Sequence, residues 1–219
     1  MGVTDGRLPQ NGQEKGGAGR TRLRVLDTAE LLFARDGPAA VTLRSIAAAA
    51  QVNVAAVNYH FGSKDRLFEE MFLRRIVPLN EERLAGLARA CAGGPPGLDA
   101  IITAYVAPAI RLIGEAGGSA RAIVVQYSLG RVLAMPQVDT MLVRYYDQVR
   151  KQFVAALQNA APHLSLHEVV WRYYWMGGSV MVSLAVPQGM VGAEARPEAV
   201  AGALIAFLVE GFGARGHLA

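Results

Sequence analysis

Between Asn53 and Lys64 the chain reads NVAAVNYHFGSK, which gathers Asn53, Asn58, Tyr59, His60 and Lys64 around one short break and holds no acidic side chain. Hydrogen-bond donors without a competing carboxylate suit a polyanion. Asn53, Tyr59 and His60 can donate to phosphate oxygens, contacts that position a duplex without reading it. The Asn58 amide has the two-point geometry that bonds adenine N6 and N7 together. Ala55 and Ala56 are small enough to pack on thymine methyls or to let a helix lie deep in a groove. Thr42 and Arg44 stand where a helical pattern begins, and free backbone amides at such a start favour a phosphate. Arg20 and Arg22 end a polar tail that can reach the backbone or the minor groove. Plainer readings stand beside these: Asn53 as a helix cap, Tyr59 and His60 as polar surface, Asn58 as an internal hydrogen-bonder, Lys64 as a solvated lysine.

For these groups to share one face, two short helices must meet at a tight turn. From Thr21 the residues Val25, Leu26, Ala29, Leu32 and Phe33 recur with a helical period, and Asp36-Gly37-Pro38 is a stop signal. Thr42 is a natural N-cap for a short helix with Leu43, Ile46, Ala47 and Ala50. Gln51-Val52-Asn53 forms the turn, and Asn53 caps a third helix through His60. Gly62-Ser63 breaks the pattern, and Ser63 caps a fourth helix with Leu67, Met71 and Phe72 on its apolar side. Ile46, Ala47, Val52, Val57 and Phe61 are expected to form one small core. These are the parts of a helix-turn-helix. Residues 1–20, rich in Gly, Gln and Asn, are expected to be a disordered basic tail.

The remainder alternates helical patterns with Gly/Pro breaks, near 79–92, 98–116, 119–134, 137–160, 165–185 and 197–213. Gly93 to Gly97 is a loop, and Ser165 with Glu168 fits a capping box. Few stretches alternate with period two, so the fold class is all-α. Isolated polar groups such as Gln126 and Arg131 sit in IVVQYSLGRVLAM, and a few polar groups in an apolar cleft are what a small-molecule site needs. Tyr105, Gln126, Tyr127, Arg131, Trp171 and Trp175 are the candidate lining. The plain alternative makes Tyr127 and Trp171 ordinary core and Arg131 an ion-pair residue. Gly177-Gly178-Ser179 lies inside a helical run, where each Gly costs about 1 kcal/mol against Ala. Close approach of a partner helix or a kink beside a cavity would justify that cost. Ala203, Phe207 and Glu210-Gly211 mark a second seam helix.

A net charge of +4 permits an anionic partner without requiring one. Cys91 is the single cysteine, so no intrachain disulfide exists. Residues 1–20 lack the apolar segment of a signal peptide. The longest apolar run, Met176 to Ala193, is interrupted by Gly and Pro, short of the roughly 20 residues a span requires; a cytoplasmic protein without a membrane partner is expected. His163 and His167 are separated by the cap at Ser165, so no metal site is expected. No cofactor or catalytic motif is visible either.

VLDTAELLFARDG and VTLRSIAAAAQVNVAAVNYHFGSKDRL, with an aromatic-rich helix end followed by Gly-Ser-Lys, resemble the DNA-binding domain of the TetR/AcrR family of transcriptional repressors. The resemblance covers residues 21–68. It implies a helix-turn-helix domain at 21–66 and a helical effector-binding and dimerisation domain at 67–219. It also implies a homodimer, formed through the last two helices, on a palindromic double-stranded operator and released by an apolar effector. Lys64 matches the family's phosphate-gripping lysine. Gln51 departs from the family's Gly in the turn, which implies a mildly strained backbone, and Asn58-Tyr59 departs from its usual pairs, so base readers cannot be copied across. VNYHFGSK followed by RRIVPLNEERLAGL resembles a subgroup with regulators of fatty-acid metabolism, which implies an acyl or other greasy effector. Two competing readings remain at this point: an all-α small-molecule carrier or enzyme, and an architectural DNA binder without effector.

Overall fold

The computed structural model describes residues 13–114, 121–125, 140–186 and 196–218, and every regular element among them is helical. The helices are α1 (Gln13–Ala40), α2 (Leu43–Ala49), α3 (Val54–Phe61), α4 (Lys64–Cys91), α5 (Leu98–Ile110), α6 (121–125), α7 (Thr140–Ala160), α8 (Leu166–Ala185) and α9 (Pro197–Gly213). They form two compact units, one through Met71 and one from Phe72, with the boundary inside α4.

Two expected boundaries move. Helix α1 begins at Gln13, so residues 13–20 are helical where a disordered tail was expected. Extending a formed helix costs far less than nucleating one, and Gln13, Glu14, Lys15 and Ala18 are good helix formers. The expected break before residue 79 is absent, because α4 runs unbroken through Pro78. Proline removes one hydrogen bond from the helix. The apolar stripe of Ile76, Leu79 and Leu87 nevertheless stays buried on either side of it, and packing wins. At the end of α1 the anticipated stop is present, since Gly37 leaves helical geometry at φ 77°.

In the first unit Val25, Leu26, Ala29 and Phe33 of α1 pack with Val41, Ile46, Ala47, Ala50, Val57, Phe61 and Leu67, all buried. Phe33 stacks on Phe68 at 4.9 Å between ring centroids, with the planes 3° apart. Val52 is only half-buried. Gln51 holds the turn at φ 52°, a left-handed conformation in which a Cβ is strained. Gln51→Gly is therefore expected to stabilise this unit by about 0.5–1 kcal/mol, the relief of strain outweighing the entropy gained by the unfolded chain. Urea denaturation measures it, and a loss of stability would mean that the Gln51 side chain contributes more than its backbone costs.

The second unit is centred on α5, where Ile101, Ile102, Tyr105, Val106, Ala109 and Ile110 are all buried. Phe153 and Leu157 of α7, Tyr173 and Met176 of α8, and Leu208 and Phe212 of α9 complete its core. Helices α4 and α5 cross closely, for a Cβ built on Gly86 would lie 3.1 Å from the Ala104 Cβ.

Within α8, Glu168 and Arg172 form an ion pair at 2.8 Å, with side chains 3% and 8% exposed, and both partners reach on to the end of α9 and the segment after it. The Arg172 guanidinium donates to the carbonyls of Gly211, Ala214 and Arg215, groups that a helix end leaves without partners. Glu168 accepts from the backbone amides of His217 and Leu218. Its carboxyl is held below the usual range, first by the Arg172 hydrogen bond and further by those amides, against the opposing effect of burial.

Candidate nucleic-acid interface

The short helices of the first unit are fixed by their caps. Thr42 and Ser45 form a reciprocal capping box, Thr42 Oγ1 accepting from the Ser45 amide at 3.0 Å and Ser45 Oγ from the Thr42 amide at 2.9 Å. Asn53 Oδ1 accepts from the Ala55 amide at 2.8 Å, and Ser63 Oγ from the Arg66 amide at 3.2 Å. Asn53 therefore acts as a cap through its oxygen, and its side-chain amide protons make no hydrogen bond among the described residues. Gly62 takes φ 73° after α3, which turns the chain sharply into α4.

Val57 and Phe61 bury one side of α3. Ala55 and Tyr59, four residues apart, lie on the side directly opposite, and Tyr59 is 87% exposed. Asn58 and Arg44 are exposed, and neither makes a side-chain hydrogen bond among the described residues. His60 is half-buried and packs edge-on between Tyr59 and Phe61, at 5.4 and 6.1 Å. Ala56 is half-buried, Thr42 exposed.

Two of the expected contact residues are engaged within the fold. Arg22 donates to Glu70 at 2.5 Å and lies over the Phe61 ring at 5.6 Å, so it braces α1 against α3 and α4. Lys64 Nζ donates to the Val41 carbonyl at 3.2 Å, tying the start of α4 to the loop before α2. Ser45 escaped sequence reading, although its spacing three after Thr42 was a readable signal.

In the second unit Tyr105 is buried in a polar-aromatic cluster. It meets Phe153 and Tyr173 edge-to-face, at 5.2 and 5.5 Å. The Arg83 guanidinium lies 3.9 Å from the Tyr105 ring centroid, with Nε donating to the Tyr105 carbonyl at 2.9 Å and Nη1 to Asn80 Oδ1 at 3.2 Å. Burial, reinforced by Tyr105, pushes the Tyr173 phenol far above its ordinary range. Gly177 faces inward, its missing Cβ 3.4 Å from Tyr105 Oη, whereas Gly178 faces open space. Trp171 and Trp175 of the expected lining are instead about half exposed on α8. Gln126, Tyr127 and Arg131 lie outside the described residues. Arg83, Asn80 and Tyr173 were missed, although Ile76, Asn80, Arg83 and Leu87 share one helical face by spacing. Among the described residues no cluster of three or more His, Cys, Asp or Glu has metal-binding geometry. No described helix is long and apolar enough to cross a membrane.

Residues 25–71 match the family model described as bacterial regulatory proteins, tetR family, and residues 103–211 match a tetracyclin repressor-like C-terminal domain. A probable acrEF/envCD operon repressor of Escherichia coli is 41% identical over 56 residues, 26% of this chain and 26% of that protein. That alignment spans about a quarter of the curated relative. Among solved structures, the ketosteroid transcriptional regulator KstR2 of Mycobacterium tuberculosis superposes with a TM-score of 0.64 at 19% identity, covering 87% of this chain and 93% of that one. AibR, solved in complex with isovaleryl coenzyme A and operator DNA, gives 0.62 at 15%, covering 86% and 98%.

Proposed function

Because the chain belongs to the TetR family of bacterial regulators, we propose that it is a homodimeric, effector-released transcriptional repressor whose α3 reads the major groove of a palindromic operator. The observation that carries this reading is α3 itself: Ala55, Asn58 and Tyr59 stand exposed, held by two caps and a buried core, on a segment without one carboxylate. Dimerisation is supported by apolar surface on the last two helices, where Trp171, Tyr174, Trp175, Val182 and Phe207 are each at least 45% exposed. Such aromatic surface is typical of an interface core. Two-fold symmetry would space the two α3 helices for successive half-sites. The second unit is proposed as the effector domain, with the Tyr105 cluster in its site. AibR offers a precedent, since it was solved in complex with both isovaleryl coenzyme A and operator DNA. Release follows when the effector binds the DNA-incompetent arrangement more tightly than the competent one.

Selection of bound duplexes from a random pool tests the reading, because it returns the site and its symmetry together. Lys64→Ala is expected to weaken binding to specific and random DNA alike and to lower the salt slope by about one. Asn58→Ala is expected to cost about 1–3 kcal/mol at one base position and to relax preference there. Equal losses on specific and random DNA for Asn58→Ala would remove it from base reading.

A further inference from the structure

Arg83 is only 4% exposed, yet no carboxylate pairs with it among the described residues. Its contacts are a carbonyl, an amide oxygen and an aromatic face, which solvate a cation without neutralising it. A buried charge left in that state is costly, and proteins normally supply a counter-ion. Nη2 makes no hydrogen bond to a described residue. Beside it, Asn80 is 6% exposed and its Nδ2 is buried without a hydrogen-bond acceptor. Among the described residues, two donors on one helical face, three residues apart, thus lack an acceptor, and of the two it is Asn80 Nδ2 that is fully buried. An acceptor-rich anion satisfies both at once.

We propose that Arg83 and Asn80 bind the anionic oxygens of the effector, which is therefore an amphipathic acid and not a neutral apolar compound. Arg83 Nη2 and Asn80 Nδ2 would each donate to one oxygen, and the Tyr105, Phe153 and Tyr173 rings would pack along the apolar body. The inference rests on the effector-domain reading above and sharpens it to a class of ligand: an apolar body ending in a carboxylate or phosphate.

The test uses the full-length protein and thermal shift, which reports ligand binding by mass action. Probes are hexanoate, decanoate and tetradecanoate, their matched primary alcohols, and decyl phosphate, each with wild type and Arg83→Met. The expected result is that the acids raise Tm of the wild type and the alcohols do so far less. The carboxylate and phosphate arms then identify which anion is preferred. In Arg83→Met the acid response disappears while Tm without ligand stays within a few degrees, because an uncompensated charge adds little to the folded state. Three results overturn the proposal. Acids and alcohols acting equally would leave an effector site that ignores charge. No response to any probe would remove the effector reading as well. A steep loss of Tm in Arg83→Met without ligand would make Arg83 a structural ion-pair partner; Arg83→Gln then checks this, since a merely structural cation loses stability there too.

Discussion

Arg172→Ala is expected to lower Tm by roughly 10 °C. One guanidinium satisfies Glu168 and three carbonyls at the end of α9, so its removal strands all four acceptors together. Glu168 would keep its charge beside the backbone amides of His217 and Leu218 but lose its counter-ion. The effect is long-range, because the partners lie about 40 residues along the chain, and α8 and α9 should loosen together. Thermal unfolding followed by circular dichroism measures it, and a shift of only one or two degrees would show that water replaces the guanidinium readily. The same clamp sets a pH response. Glu168 has a lowered folded pKa, so its contribution is present above the ordinary carboxylate value near 4.3 and is lost as pH falls through the folded value. Glu168→Gln should therefore lose stability at neutral pH and show a flatter acid limb than the wild type.

Phe33→Ala is the second large effect, expected at about 3–5 kcal/mol. Phe33 is fully buried and stacked on Phe68, at the centre of the first unit's core. A unit this small has little stability in reserve. The first unit should therefore lose its fold, and with it all DNA retention, while the transition of the second unit persists. Scanning calorimetry of the full chain would show the lower transition vanish and the upper remain. A single transition displaced as a whole would show that the two units unfold as one.

What was legible in the sequence was local. Thr42, Asn53, Ser63 and Ser165 cap helices because a cap needs only its own side chain and an amide two or three residues on. The strain at Gln51 followed instead from the resemblance, because the family places Gly in that turn, and the left-handed φ of 52° agrees with it. Most of what escaped depends on distant partners. Nothing near Arg22 announces Glu70, 48 residues later, and Lys64 gave no sign of the Val41 carbonyl. The clamp between Arg172 and the segment after α9 is of the same kind. Pro78 misled because a local helix-breaking preference was outweighed by a buried stripe on both sides. Trp171 and Trp175 misled differently, since aromatic residues in an apolar helix read alike whether they face a core or a partner. Arg83 was legible by period, since it shares a helical face with Ile76, Asn80 and Leu87.

The contact of Gly86 with Ala104 limits how α4 and α5 can move against each other within the second unit. With one methyl already filling the gap, α4 and α5 cannot be pressed closer, and prying them apart would open a void along their shared seam. Small side chains at a crossing offer few knobs to catch, so the cheaper displacement is axial gliding of one helix over the other.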